Sequence, residues 1–298
     1  MPGLRPLDLG EILDAAFRVF GRRWRTLVTA ALIIAIPLNL ASTGLVLAFA
    51  PDQFDVESGE NPLAALSDPG QGGALAAVMA ARVVDVVASA LALAACMRIA
   101  AGDLAGRDPG PGVAISFALR RLPATVGVVL VVGIGVGIGV VLLIVPGVWL
   151  GTVWGLALPA LLFERTGVVR SLSRSRDLVR GRFWPVLGLL VLAFLITLFS
   201  AGVIGAIASG LVTAAGADVE TAGAAGAFVS GVASTAFAVP VAAAMLLLMY
   251  VDQRVRREGL SRAAFGGVLG EPSVERPDAG TPAGPQLPGG WQPPTPHR

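Results

Sequence analysis

The chain has 298 residues, of which 55% are hydrophobic and 14% are charged, and its mean hydropathy is +0.77. Soluble domains carry about 25% charged residues, so this composition excludes a water-soluble protein and is typical of an integral membrane protein. The formal net charge of +2 includes 22 arginines, since the chain contains no lysine. These arginines form no basic patch interleaved with aromatic residues, so we expect no nucleic-acid partner.

Cysteine and histidine occur once each, as Cys96 inside an apolar stretch and as His297 near the C-terminal end. A single cysteine excludes an intramolecular disulfide. A single histidine leaves no material for a histidine-based metal site or a Ser-His triad. We therefore expect neither a metal nor a cofactor, and we predict that the protein is not an enzyme.

Six apolar stretches follow one another along the chain, and a helix needs about 20 apolar residues to cross a bilayer. They cover residues 26–50, 74–97, 124–145, 148–163, 184–213 and 223–251. The dipeptide Pro146-Gly147 predicts a tight turn between the third and the fourth stretch. Because the fourth stretch is short, a re-entrant hairpin is an alternative to a full crossing. The sequence thus predicts an all-α fold, a polytopic bundle of six transmembrane helices over residues 26–251.

The segments that connect these stretches alternate between arginine-rich and acidic. All arginines except Arg82 lie in segments on one side of the pattern, whereas the connections 51–73 and 214–222 carry only acids. Cytoplasmic connections of membrane proteins are enriched in basic residues. We therefore predict that both termini are cytoplasmic and that the arginines lie against the anionic lipids of the inner leaflet.

The segments that flank the six stretches differ from them in pattern. Apolar side chains within residues 1–25 recur every three or four positions, at Leu9, Leu13, Ala16, Phe17, Phe20 and Trp24. This period predicts an amphipathic interfacial helix or, as an alternative, a helix packed beneath the bundle. Asp8 and Glu11 resemble a capping box at its start. Residues 252–270 are predicted to be a cytoplasmic juxtamembrane segment, and residues 271–298, rich in proline and glycine, a disordered tail.

One ionisable pair, Arg82 and Asp85, lies inside a predicted span. Side chains three residues apart on a helix are neighbours, so these two can reach each other. A charge at membrane depth costs about 2.5–3.5 kcal/mol on insertion scales, so such residues face the bundle and pair. The functional interpretation is a relay or an anchor for a substrate. The alternatives are a self-neutralised structural pair, or an Arg82 that extends toward the outer surface.

Glycine occupies every second position in part of the third stretch, at Gly133, Gly135, Gly137 and Gly139. This spacing contains two overlapping GxxxG patterns. Small residues in such patterns let the backbones of membrane helices approach closely. We expect these glycines to pack against another helix of the bundle rather than to line a pore.

Four segments of the chain carry motifs at the predicted membrane boundaries: residues 5–17, residues 103–107 with 118–123, residues 145–150 running to 158–160, and residues 174–184. These segments resemble a family of uncharacterised bacterial six-span membrane proteins. That family is similar to the membrane domain attached to some glycerophosphoryl diester phosphodiesterases. The resemblance implies a helical domain of the bacterial inner membrane, with no catalytic residue to carry over. A phosphodiesterase barrel needs roughly 200 further residues, and we expect none here, because spans and short connections use the whole sequence.

These features predict an integral membrane protein that acts as a non-enzymatic scaffold or accessory of the cell envelope. Its arginine-rich inner side is expected to hold an envelope protein partner. The alternative is a small transporter or a lipid-handling protein. The Arg82–Asp85 pair and the prolines inside spans favour that alternative, because interrupted helices form binding sites in transporters.

Overall fold

The computed structural model describes residues 8–50, 72–164 and 166–259. Within these ranges the regular secondary structure is helical. The α-helices are α1 (Leu9–Phe49), α2 (Gly72–Leu104), α3 (Pro111–Leu142), α4 (Ile144–Trp154), α5 (Ala157–Glu164), α6 (Val168–Val179), α7 (Phe183–Ala214), α8 (Val219–Ala233) and α9 (Val239–Glu258). A π-helical turn, Ser234–Ala238, joins α8 to α9.

Six helical stretches are long and apolar enough to cross a membrane, which confirms the predicted all-α bundle. They are α1, α2, α3, α4 with α5, α7, and α8 with α9. The acidic connection at 51–71, residues 260–270 of the juxtamembrane segment and the predicted tail at 271–298 lie outside the described residues.

The N-terminal amphipathic segment and the first span form one helix, α1, rather than the two elements that the sequence predicts. No proline occurs between Leu9 and Pro37, so nothing in this part of the chain forces a helix to end at residue 25. The helix begins where the capping box predicts, with the backbone N–H of Asp8 donating to Glu11 Oε2 at 3.0 Å.

The amphipathic part of α1 packs against the bundle. Ile12, Ala16 and Val19 are buried in the main hydrophobic core, whereas Phe17 and Trp24 are about half exposed. Of the two predictions for this segment, a helix packed beneath the bundle fits the buried face better than an interfacial helix that contacts only lipid.

Of the six membrane-spanning stretches, α2 and the stretch of α8 with α9 are the most buried and lie at the centre of the bundle, whereas α3 and α7 lie at its periphery. Met245, Leu247 and Tyr250 of α9 are fully buried. Phe194 and Phe199 of α7 are exposed by 63% and 70%. Apolar side chains that would be unfavourable in water are stable against lipid chains, so the exposed faces of α3 and α7 are what a membrane bundle requires.

Arginines from separate segments meet carboxylates at one end of the bundle. Arg23 Nε lies 3.0 Å from Asp103 Oδ1, which joins α1 to α2. Arg174 Nε lies 2.8 Å from Glu164 Oε2, which joins α6 to α5. The segments that the charge pattern assigns to one side therefore come together in space, while the side of the membrane that they face stays a prediction.

The turn between α3 and α4 lies at Leu143, so the turn predicted at Pro146-Gly147 is wrong. Leu143 has an extended backbone, with φ −163° and ψ 137°, and it ends α3 and precedes α4. Pro146 lies in the first turn of α4, where a proline is tolerated because the backbone N–H there has no helical partner. The fourth stretch is also longer than predicted, at residues 144–164, and Gly155 and Leu156 divide it into α4 and α5.

The tip of this helical hairpin carries no polar side chain. Its five residues are exposed by 68–87%: Val141, Leu142, Leu143, Ile144 and Val145. The flanking sequence from 126 to 151 is apolar throughout. Exposing this much apolar surface to water is unfavourable, so we expect the tip to lie below the lipid headgroups.

Cysteine labelling tests the depth of the tip. In Leu143→Cys, we expect a membrane-impermeant maleimide to leave the new thiol unlabelled in intact membranes and to label it after detergent is added. The native Cys96 is fully buried and contributes little background. Ala215→Cys, in the exposed turn between α7 and α8, is the matched control and should react readily. Equal reaction of the two thiols in intact membranes would place the tip in water.

Candidate functional site

A polar cavity of about 470 Å³ opens between α1, α2, α7, α8 and the π-helical turn. Ten of its seventeen lining residues have polar side chains: Asn39, Ser42, Thr43, Arg82, Asp85, Ser89, Thr197, Ser230, Ser234 and Thr235. Polar groups inside a membrane bundle are unfavourable unless they find partners. Their concentration around one open space therefore marks the cavity as the candidate site.

Arg82 and Asp85 both lie in the wall of this cavity. Arg82 Nη1 and Asp85 Oδ2 are 3.5 Å apart, and the two side chains are exposed by 74% and 37%. A charge-assisted hydrogen bond between such groups is normally about 2.7–2.9 Å long. The contact is thus loose, and a guanidinium has five N–H donors, so Arg82 retains donors for a further partner.

Two hydroxyl groups of the wall already donate their hydrogens to backbone carbonyl oxygens. Ser230 Oγ donates to the carbonyl oxygen of Ala201 at 2.9 Å, and Thr235 Oγ1 donates to that of Gly231 at 2.9 Å. A hydroxyl group has one hydrogen and two lone pairs, so each of these residues has only acceptor capacity left. Together with the Asp85 carboxylate, they make this part of the cavity suited to a group that donates hydrogen bonds.

Asn39 is held in the wall by α1 and by a glycine of α8. Its Nδ2 donates to the carbonyl oxygen of Ala35 at 2.9 Å. A Cβ atom on Gly231 would lie 1.9 Å from Asn39 Oδ1, so only glycine leaves room for this side chain. The amide oxygen of Asn39 thereby packs onto the backbone of α8.

The π-helical turn brings two further hydroxyls, Ser234 and Thr235, to the cavity. It ends directly before α9, whose second residue is Pro240. Proline has no N–H to donate to the preceding turn, which favours a local change of helical pitch. Single π-helical turns occur frequently at functional sites.

The hydroxyl-bearing residues of this site were not predicted from the sequence. A pattern was present: Ser42 lies three residues after Asn39, and Ser234 lies four residues after Ser230, so each pair shares a helix face. Single hydroxyls in membrane helices are common, however, and the sequence alone does not show that these faces meet.

The four predicted helix-packing glycines lie outside the cavity and divide into two pairs. A Cβ atom on Gly139 would lie 2.8 Å from the Cα of Gly147, and one on Gly135 would lie 2.4 Å from the ring of Trp154. These two glycines pack α3 against α4. Gly133 and Gly137 have open space around the Cβ position, so they do not take part in that contact.

The comparisons with known proteins give no family for this chain. No protein-family model matches it, and neither a curated protein nor a solved structure is similar to it. Within the described residues, no group of three or more metal-ligating side chains occurs. The resemblance to the six-span family therefore stays a prediction, and the function has to be argued from the cavity.

Proposed function

We propose that this protein binds a small zwitterionic molecule inside the bilayer and acts as a carrier or a lipid-handling protein. The observation that supports this function is the open polar cavity in which Arg82 and Asp85 lie side by side. Its volume falls in the range of about 300–1,000 Å³ that is usual for small-molecule sites.

The chemistry of the wall favours a ligand with two opposite charges. The guanidinium of Arg82 suits a carboxylate or a phosphate group. Asp85 and the acceptor oxygens of Ser230 and Thr235 suit an ammonium group. An amino-acid-like solute and the headgroup of an ethanolamine lipid share this chemistry.

The predicted orientation places the cavity toward the outer side of the membrane. Arg82 lies ten residues after the start of α2, or about 15 Å along the helix. In a bacterial inner membrane with both termini cytoplasmic, α2 begins at the outer surface. The ligand would then enter from that side or from the outer leaflet.

The proposed role is non-enzymatic. Among the lining residues, Arg82 and Asp85 are the ionisable ones, and arginine does not act as a base in proteins. The hydroxyls of Ser230 and Thr235 donate to carbonyl oxygens rather than to a base that would activate them as nucleophiles.

A scaffold for an envelope protein is the second candidate function. Arg25, Arg120 and Arg170 are exposed, and in the described part of the chain no carboxylate lies within ion-pair distance of them. Such side chains favour binding of an acidic protein surface at the inner side.

Native mass spectrometry of the protein extracted in its own lipids tests the first function against the second. We expect the wild type to retain one zwitterionic molecule, whose mass distinguishes a phospholipid from a small solute. Arg82→Gln and Asp85→Asn should each reduce its occupancy about tenfold, because each removes a hydrogen bond to a charged group. Arg25→Gln, which removes an arginine outside the cavity, should retain the ligand.

Two results would contradict the proposed function. Undiminished retention in both cavity variants would show that the ligand binds elsewhere. A stoichiometric second protein, with no small molecule retained, would favour the scaffold.

A further inference from the structure

A second cavity, of about 450 Å³, lies at the arginine-bearing end of the bundle, where α6 turns into α7 beside α4. Ser173 and Arg176 lie on one face of α6 and contribute to its wall, together with Arg180, which directly follows the last residue of that helix. Trp149 of α4 and Phe183 of α7 contribute aromatic rings. The cavity thus has a polar, basic side and an apolar side.

The guanidinium groups on the basic side of this cavity have hydrogen-bond donors available for a ligand. In the part of the chain that the structure describes, no carboxylate lies within ion-pair distance of Arg176 or Arg180. Nε of Arg182, which lies between the wall residues Gly181 and Phe183, is buried and has no hydrogen-bond partner among the described residues. Arg257 donates to the carbonyl oxygen of Arg180 and adds a further positive charge nearby. Asp177 is the one carboxylate in the wall.

The helix that carries these arginines is held firmly in place. Ser175, on the buried face of α6, donates to the carbonyl oxygen of Val153 at 2.7 Å and accepts from the N–H of Leu156 at 3.1 Å. These bonds satisfy backbone groups at the break between α4 and α5. Gly181, with φ +81°, lets the chain turn sharply from α6 into α7. The basic and aromatic sides of the cavity are therefore preorganised.

We propose that this cavity binds the phosphodiester and upper acyl region of an anionic glycerophospholipid. Arg176, Arg180 and the Ser173 hydroxyl suit the phosphate oxygens, since guanidinium groups bind phosphate with charge-assisted hydrogen bonds. Asp177 suits a hydroxyl group of a glycerol headgroup. The rings of Trp149 and Phe183 suit the apolar part of the lipid, as aromatic residues do at membrane interfaces.

The proposed ligand therefore contains both a phosphate ester and an apolar part. A soluble phosphate ester has no apolar part to contact the aromatic rings, so the cavity favours a lipid. This site does not depend on the function proposed for the first cavity. The first cavity borders Val239 at the start of α9, whereas Arg257 lies near the end of that helix, about 27 Å away along its axis.

Binding to the delipidated protein in detergent micelles, followed by native mass spectrometry, tests the proposal. The probes are phosphatidylglycerol, phosphatidylcholine and free glycerol 3-phosphate. We expect the wild type to bind phosphatidylglycerol about tenfold more tightly than phosphatidylcholine, whose headgroup has no hydrogen-bond donor for Asp177. Binding of glycerol 3-phosphate should be weaker still, because it lacks the acyl chains.

Matched variants locate the site. The double variant Arg176→Gln with Arg180→Gln should lose at least about tenfold in affinity for phosphatidylglycerol, because two charged donors are removed. Arg170→Gln removes the same charge from the same helix outside the cavity and should bind like the wild type.

Three outcomes would overturn the proposal. They are equal binding by the double variant and the wild type, equal binding of the two phospholipids, and glycerol 3-phosphate binding as tight as that of phosphatidylglycerol. Thermal unfolding of the double variant, followed with a thiol-reactive dye at the buried Cys96, should match the wild type and exclude misfolding as the cause of a loss.

Discussion

Glu164→Gln is expected to lower the free energy of unfolding by about 2–3 kcal/mol, because this carboxylate joins three helices at the arginine-bearing end. Arg174 Nε of α6 donates to both Glu164 oxygens, at 2.9 and 2.8 Å. The hydroxyl of Tyr250 in α9 donates to Glu164 Oε1 at 2.9 Å, and Arg254 Nε lies 4.0 Å away. Glutamine would leave two partly buried guanidinium groups with Glu258 as their one remaining counter-charge among the described residues.

The partners of Glu164 stay charged because the ion pairs outweigh burial. Burial by itself lowers the pKa of Arg174, but its hydrogen bonds to Glu164 and Glu258 raise it more, so that the pKa lies above its ordinary value. The Glu164, Arg174 and Arg254 side chains are exposed by 17%, 27% and 14%. Because solvent still reaches them, the expected effect is smaller than the 3–5 kcal/mol or so of a fully buried broken pair.

The thiol of Cys96 provides the measurement for this prediction. It is fully buried, so a thiol-reactive dye reports unfolding as the detergent-solubilised protein is heated. We expect Glu164→Gln to lower Tm by about 5–10 °C. Asp14→Asn is the control, since it breaks the ion pair between Asp14 and Arg18, whose two side chains are exposed by 64% and 57%. This substitution should shift Tm by less than about 2 °C. Equal shifts in the two variants would show that the Glu164 cluster does not stabilise the fold.

Gly139→Ala is expected to destabilise the hairpin of α3 and α4 by about 1–3 kcal/mol through overpacking. A Cβ atom at this position would lie 2.8 Å from the Cα and 2.9 Å from the N of Gly147. Both are backbone atoms of α4, which cannot rotate away as the end of a flexible side chain would. The two helices must therefore separate to accommodate one methyl group.

Gly137→Ala is the matched control for this substitution. It adds the same methyl group one half-turn away, where nothing lies within 4 Å of the Cβ position. In the same dye assay, we expect Gly139→Ala to lower Tm by about 3–8 °C and Gly137→Ala to leave it unchanged or slightly raised, since alanine favours a helix over glycine. A comparable loss in both variants would mean that glycine is needed along this helix for a reason other than the contact with α4.

The architecture places two cavities of different chemistry in one bundle. The first lies beside Arg82 and Asp85 and suits a zwitterion. The second lies beside Arg176 and Arg180 and suits a phosphate group attached to an apolar body. A protein with both is well suited to bind a lipid at its arginine-bearing end while a second ligand occupies the other site.

The local pattern of the sequence accounts for the elements that were predicted correctly. Long apolar stretches require helices in a bilayer, because every backbone N–H and C=O must be paired within the segment. The contact of Arg82 with Asp85 follows from a spacing of three residues on one helix. The start of α1 at the capping box of Asp8 and Glu11 is equally local.

The predictions that failed depended on information that the local pattern does not contain. A dipeptide such as Pro146-Gly147 fits both a turn and the first turn of a helix, so the turn at Leu143 was missed. In a stretch where every residue is apolar, periodicity does not show which face meets a neighbour. The sequence therefore did not separate Gly139, which contacts α4, from Gly137, which does not.

The sequence by itself determined the class of this protein, an all-α membrane bundle, because hydropathy acts on each segment independently. Only the tertiary structure decided which segments meet. It brought Glu164 to Tyr250, 86 positions away, and it brought Asn39, Arg82 and Ser230 to one cavity. Helix packing sets such contacts through the shapes of whole faces, and small residues such as Gly231 decide how closely those faces approach.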